Sequence, residues 1–234
     1  MALLQLDDVT RRFGGILALD RVSFDVGQGE IVGLIGPNGA GKTTAFNVIT
    51  RLYRPDEGEV TFDGRSLLHT APHHVIRLGI ARTFQNVELF RSMTVQENVR
   101  VGAHSRRGER GPDDVVDYLG LGDVARRPVR GLPFGTLKRV ELARALAAAP
   151  RLLLLDEPAG GLNHEEVLEL GKLIRRIRED FDVTILLVEH HMGLVMGVAD
   201  RVHVLDFGRM IASGTPVEVQ SAPAVIEAYL GAAS

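Results

Sequence analysis

Eight residues constrain what this chain can fold into more than any others: Gly36-Pro37-Asn38-Gly39-Ala40-Gly41-Lys42-Thr43 matches the pattern GxxxxGK[ST]. The run Glu30 to Ile35 before it is strand-like, and Lys42 to Thr50 after it carries Phe46, Val48 and Ile49, which suit a helix packed on a sheet. Glycines at these spacings let successive backbone N–H groups point at phosphate oxygens, and the helix N-terminus adds the positive end of its dipole. The expected site has Gly36, Pro37, Asn38, Gly39, Ala40 and Gly41 around a nucleotide's phosphates. Lys42 reaches the β- and γ-phosphates, the Thr43 hydroxyl ligates Mg2+, and Thr44 follows at the helix start.

Short β-like runs at Leu3 to Val9 and Val22 to Val26 precede the loop, separated by the turn signals Gly14-Gly15 and Gly27-Gln28-Gly29. Beyond it, Arg54 to Glu59 is a turn, and Val60-Thr61-Phe62 with Asp63-Gly64 reads as a strand ending in another. From about Asn86 to Leu146 the pattern turns helical, around Val95 to Val101, Val115 to Leu119 and Thr136 to Ala148, with a polar loop at Ser105 to Pro112. After Pro150, strands and helices alternate: Leu152 to Asp156, Glu165 to Glu179, Val183 to Val188, His191 to Ala199 and Val202 to Leu205. Alternation of this kind argues a mainly parallel sheet flanked by helices, and continuous apolar strands are what a sheet buried on both faces demands. The predicted fold class is α/β, with a P-loop NTPase core built on a mainly parallel sheet. One domain, 1–234, divides into a nucleotide-binding core at 1–85 and 147–234, which includes an N-terminal antiparallel β subdomain, and an inserted α-helical subdomain at 86–146.

The 234 residues contain no cysteine, which removes disulfide frameworks, thiolate metal sites and cysteine nucleophiles. A net charge of -3, with the clusters Arg106-Arg107 and Arg175-Arg176-Arg178 short and interleaved with acids, gives no pull toward nucleic acid. The longest apolar runs, Leu152 to Leu155 and Ile185 to Val188, fall far short of the roughly 20 residues that span a bilayer, so membrane contact is expected through a partner. Met1 to Leu4, followed by Asp7 and Asp8, lacks the basic and apolar regions of a signal peptide, and a cytoplasmic location is expected.

Leu152 to Leu155 runs into Asp156-Glu157, which puts two carboxylates at the C-terminal end of a buried strand, the edge where open α/β sheets bind ligands. Asp156 is expected to hold Mg2+ through a water. Glu157 is expected to polarise the water that attacks the γ-phosphate, since phosphoryl transfer requires a positioned nucleophile and neutralised charge. The phosphate loop alone leaves kinases, small GTPases and many ATPases open.

The order of the remaining motifs narrows the choice. After the phosphate loop come Gln85 in Ala81-Arg82-Thr83-Phe84-Gln85-Asn86, then Leu132-Pro133-Phe134-Gly135-Thr136-Leu137-Lys138-Arg139, Asp156-Glu157-Pro158, Gly161-Leu162-Asn163 and Glu189-His190. This succession resembles the ABC transporter ATPase family over essentially the whole chain. The resemblance implies ATP and Mg2+ as ligands and Lys42, Glu157, Gln85 and His190 as catalytic residues. It implies that Phe13 stacks on adenine, that Gln85 touches Mg2+ and the attacking water while linking the core to the helical subdomain, and that His190 bonds the γ-phosphate. Gly135 and Thr136 would contact the γ-phosphate bound by an opposite subunit, in a homodimer or a heterodimer with a paralogous ATPase. Transmembrane permease subunits would be the direct partners and a solute-binding protein an indirect one, with the chain peripheral on the cytoplasmic face of the membrane.

Two residues depart from the family pattern. Pro133 stands where the signature normally has serine and offers neither a hydroxyl nor an N–H, and Asn163 stands where many members have aspartate. Arg82 to Phe90, Met93 to Val99, Ala159 to Asn163, Val188 to Met192 with Leu194 to Gly197, and the tail Gly214-Thr215-Pro216 to Ala228-Tyr229-Leu230-Gly231 resemble the branch that powers import of branched-chain amino acids and of related amides and urea. Members of that branch usually have a longer helical subdomain than the compact 104–130 stretch here. A small-molecule kinase would have no need of the signature-like stretch or the switch histidine. Chromosome-type relatives carry long coiled-coil insertions and translation-type relatives carry two tandem units, whereas this chain has one phosphate loop.

Overall fold

The structure, a computed structural model, describes residues 2–104 and 110–230. The Arg106-Arg107 pair, most of the polar loop expected from Ser105, and Gly231 of the tail lie outside the described residues. The chain opens with a long hairpin of β1 (Ala2–Phe13) and β2 (Ile16–Gly27), turning at Gly14-Gly15. The expected runs Leu3 to Val9 and Val22 to Val26 are the apolar centres of these strands. Pairing continues past them through register shifts at Leu6/Val9 and Val9/Arg11, where the hairpin bends. Next come β3 (Ile31–Ile35), α1 (Lys42–Ile49), β4 (Glu57–Phe62) and β5 (Arg65–Ser66). The antiparallel sheet runs β2-β1-β4-β5.

Then come α2 (Pro72–Leu78) and β6 (Ile80–Arg82), both too short to show a period in the sequence. Three helices, α3 (Val95–Gly102), α4 (Pro112–Tyr118) and α5 (Phe134–Leu146), precede β7 (Leu152–Asp156). The alternation continues through α6 (His164–Asp180), β8 (Thr184–Val188), α7 (Met192–Val198) and β9 (Arg201–Asp206). The chain then passes through β10 (Arg209–Gly214), α8 (Pro216–Ser221) and α9 (Pro223–Leu230). Reciprocal caps start three of the helices: Thr94 with Glu97 on α3, Asn163 with Glu166 on α6, and Thr215 with Glu218 on α8.

The large sheet runs β10-β9-β3-β8-β7-β6, parallel throughout except for β10 on β9. Its central strands β3, β8 and β7 are buried on both faces, and alternate residues serve different layers. Leu153, Leu155, Ile185 and Leu187 pack with α5, α6 and α7, whereas Leu152, Leu154, Leu186 and Val188 pack with α1 and the antiparallel sheet. Because β3, β8, β7 and β6 are parallel neighbours, the segments that follow them leave the sheet on one edge. Those segments are the phosphate loop, Glu189-His190, Asp156-Glu157 and Gln85. No helix among the described residues is long and apolar enough to cross a membrane.

Asn98, fully buried on α3, ties down the connection between Gln85 and that helix. Its Nδ2 donates to the carbonyls of Phe90 (3.2 Å) and Thr94 (2.9 Å), and its Oδ1 accepts the Phe90 N–H at 2.9 Å. Asn98→Ala should cost about 1–3 kcal/mol for the buried groups it leaves unpaired, read as a lower urea midpoint at unchanged slope. A change within experimental error would show that water takes over these bonds.

Candidate functional site

Backbone conformation explains the glycines of the phosphate loop. Gly36 has φ 149°, and a Cβ there would lie 2.0 Å from the Leu205 carbonyl oxygen; Gly41 has φ 105°, and a Cβ there would lie 2.5 Å from the Ala18 carbonyl oxygen. Only glycine fits either position. Gly41 caps α1 with no side-chain bond and no acid in the first turn, so the helix's leading N–H groups are left to an anion. Lys42 is buried, and its ammonium donates to the carbonyls of Gly36 (2.7 Å) and Pro37 (2.9 Å). Burial pulls its pKa below the ordinary lysine value, opposed by the carboxylates of Glu157 and Asp156. Asn38 to Thr44, Gln85 and Glu157 line a cavity of about 380 Å3, flanked by Ile16, Leu17, Ala18 and the exposed Phe207.

Asp156 ends β7, almost fully buried. One carboxylate oxygen bonds the Arg82 guanidinium at 2.6 Å; the other is buried with no protein partner. Arg82, at the end of β6, also donates to Asn47 Oδ1 at 2.6 Å and lies between the rings of Phe46 and Phe84. Glu157 sits in the left-handed region at φ 46°, its N–H bonded to the Val188 carbonyl at 2.8 Å. Gln85 Nε2 donates to Glu157 Oε2 at 2.7 Å, and His190 Nδ1 is 3.7 Å from the same oxygen. Glu189, wholly buried, accepts the N–H groups of Ala159 (2.7 Å), His190 (3.0 Å) and His191 (3.1 Å), which fastens the loop after β7 to the loop after β8.

The structure thus gathers Lys42, Thr43, Thr44, Gln85, Asp156, Glu157 and His190 around one strand edge. Phe13 is not among the residues lining the cavity: it pairs with Ile16 across the hairpin, meets Tyr53 edge-on at 5.1 Å and carries the Arg11 guanidinium over its ring at 4.7 Å. Gly135 and Thr136 are also apart from it, on the first turn of α5, where Gly135 faces Glu166 and Leu162. Pro133 is the N-cap of α5 at φ −54°, and its carbonyl accepts the first helical bond from Leu137 at 3.0 Å. An N-cap N–H takes no part in the helix ladder, so proline costs α5 nothing there. Sequence reasoning missed Arg82 and Glu189 as site residues. The signal for Glu189 is a carboxylate directly after a continuous apolar run; Arg82 has no local signal, because its partner lies far along the chain.

A family model described as "ABC transporter" matches residues 19–160 of the chain. The chain belongs to the ABC transporter family. A second model, "Branched-chain amino acid ATP-binding cassette transporter", matches residues 209–234 of this ABC protein. The high-affinity branched-chain amino acid transport ATP-binding protein LivG of Salmonella typhimurium is 42% identical over 251 aligned residues, covering 99% of this chain and 98% of the relative. The corresponding BraF protein of Pseudomonas aeruginosa is 40% identical, with 99% and 98% covered. Among solved structures, the ADP conformation of an ATP-binding cassette of an ABC transporter superposes with a TM-score of 0.90 at 30% identity, covering 99% of both chains. A dimeric cassette in a post-hydrolysis state bound to ADP and Pi gives a TM-score of 0.80 at 26% identity, covering 91% of this chain and 98% of that one.

Arg82→Met should destabilise the fold by about 3–5 kcal/mol, because it strands the Asp156 carboxylate in the core. Adding Asp156→Leu should recover part of that loss in chemical denaturation; a double variant no more stable than Arg82→Met would mean the cost comes from lost packing on Phe46 and Phe84.

Proposed function

We propose that this chain is the ATP-hydrolysing subunit of an importer for branched-chain amino acids, acting in pairs on a membrane permease at the cytoplasmic face. The observation that carries the reading is the convergence of four strand ends on one sheet edge: a phosphate loop, two adjacent acids, a glutamine and a histidine, with the loop, Gln85 and Glu157 lining one cavity. The backbone N–H groups of residues 36–41 and the start of α1 hold the phosphates, and Lys42 moves from its loop carbonyls to the β- and γ-phosphates. Thr43 and Asp156 suit Mg2+: both offer oxygen, the ligand a hard cation prefers, and one Asp156 oxygen is buried with no partner in the protein. When bound, the ion neutralises charge that builds on the phosphates. Gln85 offers its amide oxygen on the same side, since its nitrogen is engaged by Glu157.

Glu157 is the base. Gln85 and His190 both face its Oε2, which leaves Oε1 for the attacking water. His190 donates to the γ-phosphate. Phe13 stands at the outer edge, within one hairpin turn of Ile16, as the adenine contact. Gly135 and Thr136 act in the site of the partner subunit, through the N–H groups of the first turn of α5; the dimeric relative bound to ADP and Pi supports the pairing of two such chains.

A groove of about 680 Å3 lies between the core and the helical layer. Its exposed apolar residues are Leu52, Phe84, Phe90 and Val101, next to Leu89 and Arg144. This surface is the docking site for the permease, and its link to Gln85 through Phe84 carries the effect of hydrolysis to the membrane. The C-terminal match at 209–234 supports branched-chain amino acids as the solute.

Purified protein should turn over ATP. Lys42→Ala should lose ATP binding, and Glu157→Gln should keep binding while turnover falls about 10²–10⁴-fold and an ATP-dependent dimer accumulates in size-exclusion chromatography. Full turnover by Glu157→Gln would rule out its role as base. Phe90→Asp should release the chain from its permease in co-purification while leaving the ATP-dependent dimer intact; retention on the permease would move the docking surface elsewhere.

A further inference from the structure

One buried charge in the helical layer has no place in the chemistry above. Glu141, on α5, is 1% exposed. Its Oε1 accepts the Phe84 N–H at 3.1 Å and the Glu88 N–H at 3.5 Å. Two neighbours on the same helix face reach the same stretch of chain. Lys138 Nζ donates to the Gln85 carbonyl at 2.9 Å, and the Arg144 guanidinium donates to the Glu88 carbonyl. The spacing of 138, 141 and 144 puts the three side chains on one stripe of α5. Between them they take the N–H of Phe84, the C=O of Gln85 and both backbone groups of Glu88. The segment 84–88 is therefore fastened to α5 by its backbone, while the Gln85 side chain remains free to reach Glu157 at 2.7 Å.

A carboxylate is costly to bury here. Burial raises the Glu141 pKa above its ordinary value, opposed by the N–H groups of Phe84 and Glu88 and then by Lys138 and Arg144. Arg144 Nη2 lies 3.9 Å away, too far for a strong pair. A leucine would fill the volume without the desolvation cost. What the carboxylate supplies is a fixed acceptor for two N–H groups on either side of Gln85.

We propose that Glu141 is a positioning residue for hydrolysis: with Lys138 and Arg144 it makes residues 84–88 move with α5, so that the orientation of this helix decides whether Gln85 holds Glu157. The inference rests on the hydrolytic reading given above. It also connects two surfaces of that reading, since the first turn of α5 carries Gly135 and Thr136 while Phe84, Glu88 and Arg144 line the apolar groove.

The test compares the full chain with Glu141→Leu and Glu141→Gln, by residue-resolved amide hydrogen exchange and by ATP turnover. Exchange at the Phe84 and Glu88 amides should quicken at least about tenfold in Glu141→Leu, as expected for losing bonds to a charged acceptor. kcat should fall by about tenfold or more while KM for ATP stays within about twofold, because the phosphate loop is untouched. Glu141→Gln, which keeps one acceptor oxygen, should fall between. Wild-type exchange at both amides, or a KM that rises as kcat falls, would overturn the proposal. If Glu141→Leu does not fold, Glu141→Gln decides alone: faster exchange at Phe84 or Glu88 supports the inference, and wild-type exchange with wild-type kcat ends it. A wild-type chain that does not hydrolyse ATP would sink the hydrolytic reading and leave the exchange arm to judge the clamp.

Discussion

The parallel pairing of β3, β8, β7 and β6 is the constraint on which the site depends. Parallel neighbours end on the same edge, so four segments distant in sequence arrive within a few ångströms of one another without any loop having to find the others. The precision comes from the ladder: Leu154 stands opposite Arg82 and Leu186, and Asp156 opposite Val188. A slip of one residue would turn Leu153 and Leu155 from the helices toward α1, so burial on both faces holds the register against it.

Polar side chains at that edge divide into buried ones that fix it and more exposed ones to which the proposed chemistry falls. Asp156 with Arg82, and Glu189 with three backbone N–H groups, are the buried ones and fix strand ends to one another. Glu157, Gln85 and His190 lie in front, with side chains partly or largely exposed. Glu157 is held in a left-handed backbone conformation that costs about 1–3 kcal/mol for a residue other than glycine. Its N–H bond to Val188 and its Gln85 contact hold it there, so the strain serves the direction of the carboxylate.

How much of this was legible in the sequence follows from the range of each signal. The phosphate loop, its helix and the apolar strands β3, β7 and β8 are local patterns. The order of motifs identified the family and implied the cluster of Gln85, Glu157 and His190. Elements too short to show a period, such as α2 and β6, were not legible; nor were β10, α8 and α9 at the C-terminal end. The partnership of Arg82 with Asp156, and the capture of residues 84–88 by Glu141, are pairings of residues far apart in the chain, which a pattern of neighbours does not contain. Pro133 is compatible with the helix, since an N-cap N–H takes no part in the ladder, but as a phosphate contact it still offers neither a hydroxyl nor an N–H.

The strand order also bears on how the chain must be made. β3 emerges early, yet both of its partners in the sheet, β8 and β9, come from the last third of the sequence, and β6 must wait for β7 across the whole helical insertion. On the ribosome, the phosphate loop is therefore synthesised long before the strands that hold it, with Ile31 to Ile35 an unpaired apolar segment meanwhile. The antiparallel hairpin, α1, β4 and β5 are complete by then and can cover one face of β3. One edge stays open until Val188 is released from the exit tunnel and the other until Val204 follows, an interval in which the most constrained loop of the chain has no complete sheet to stand on.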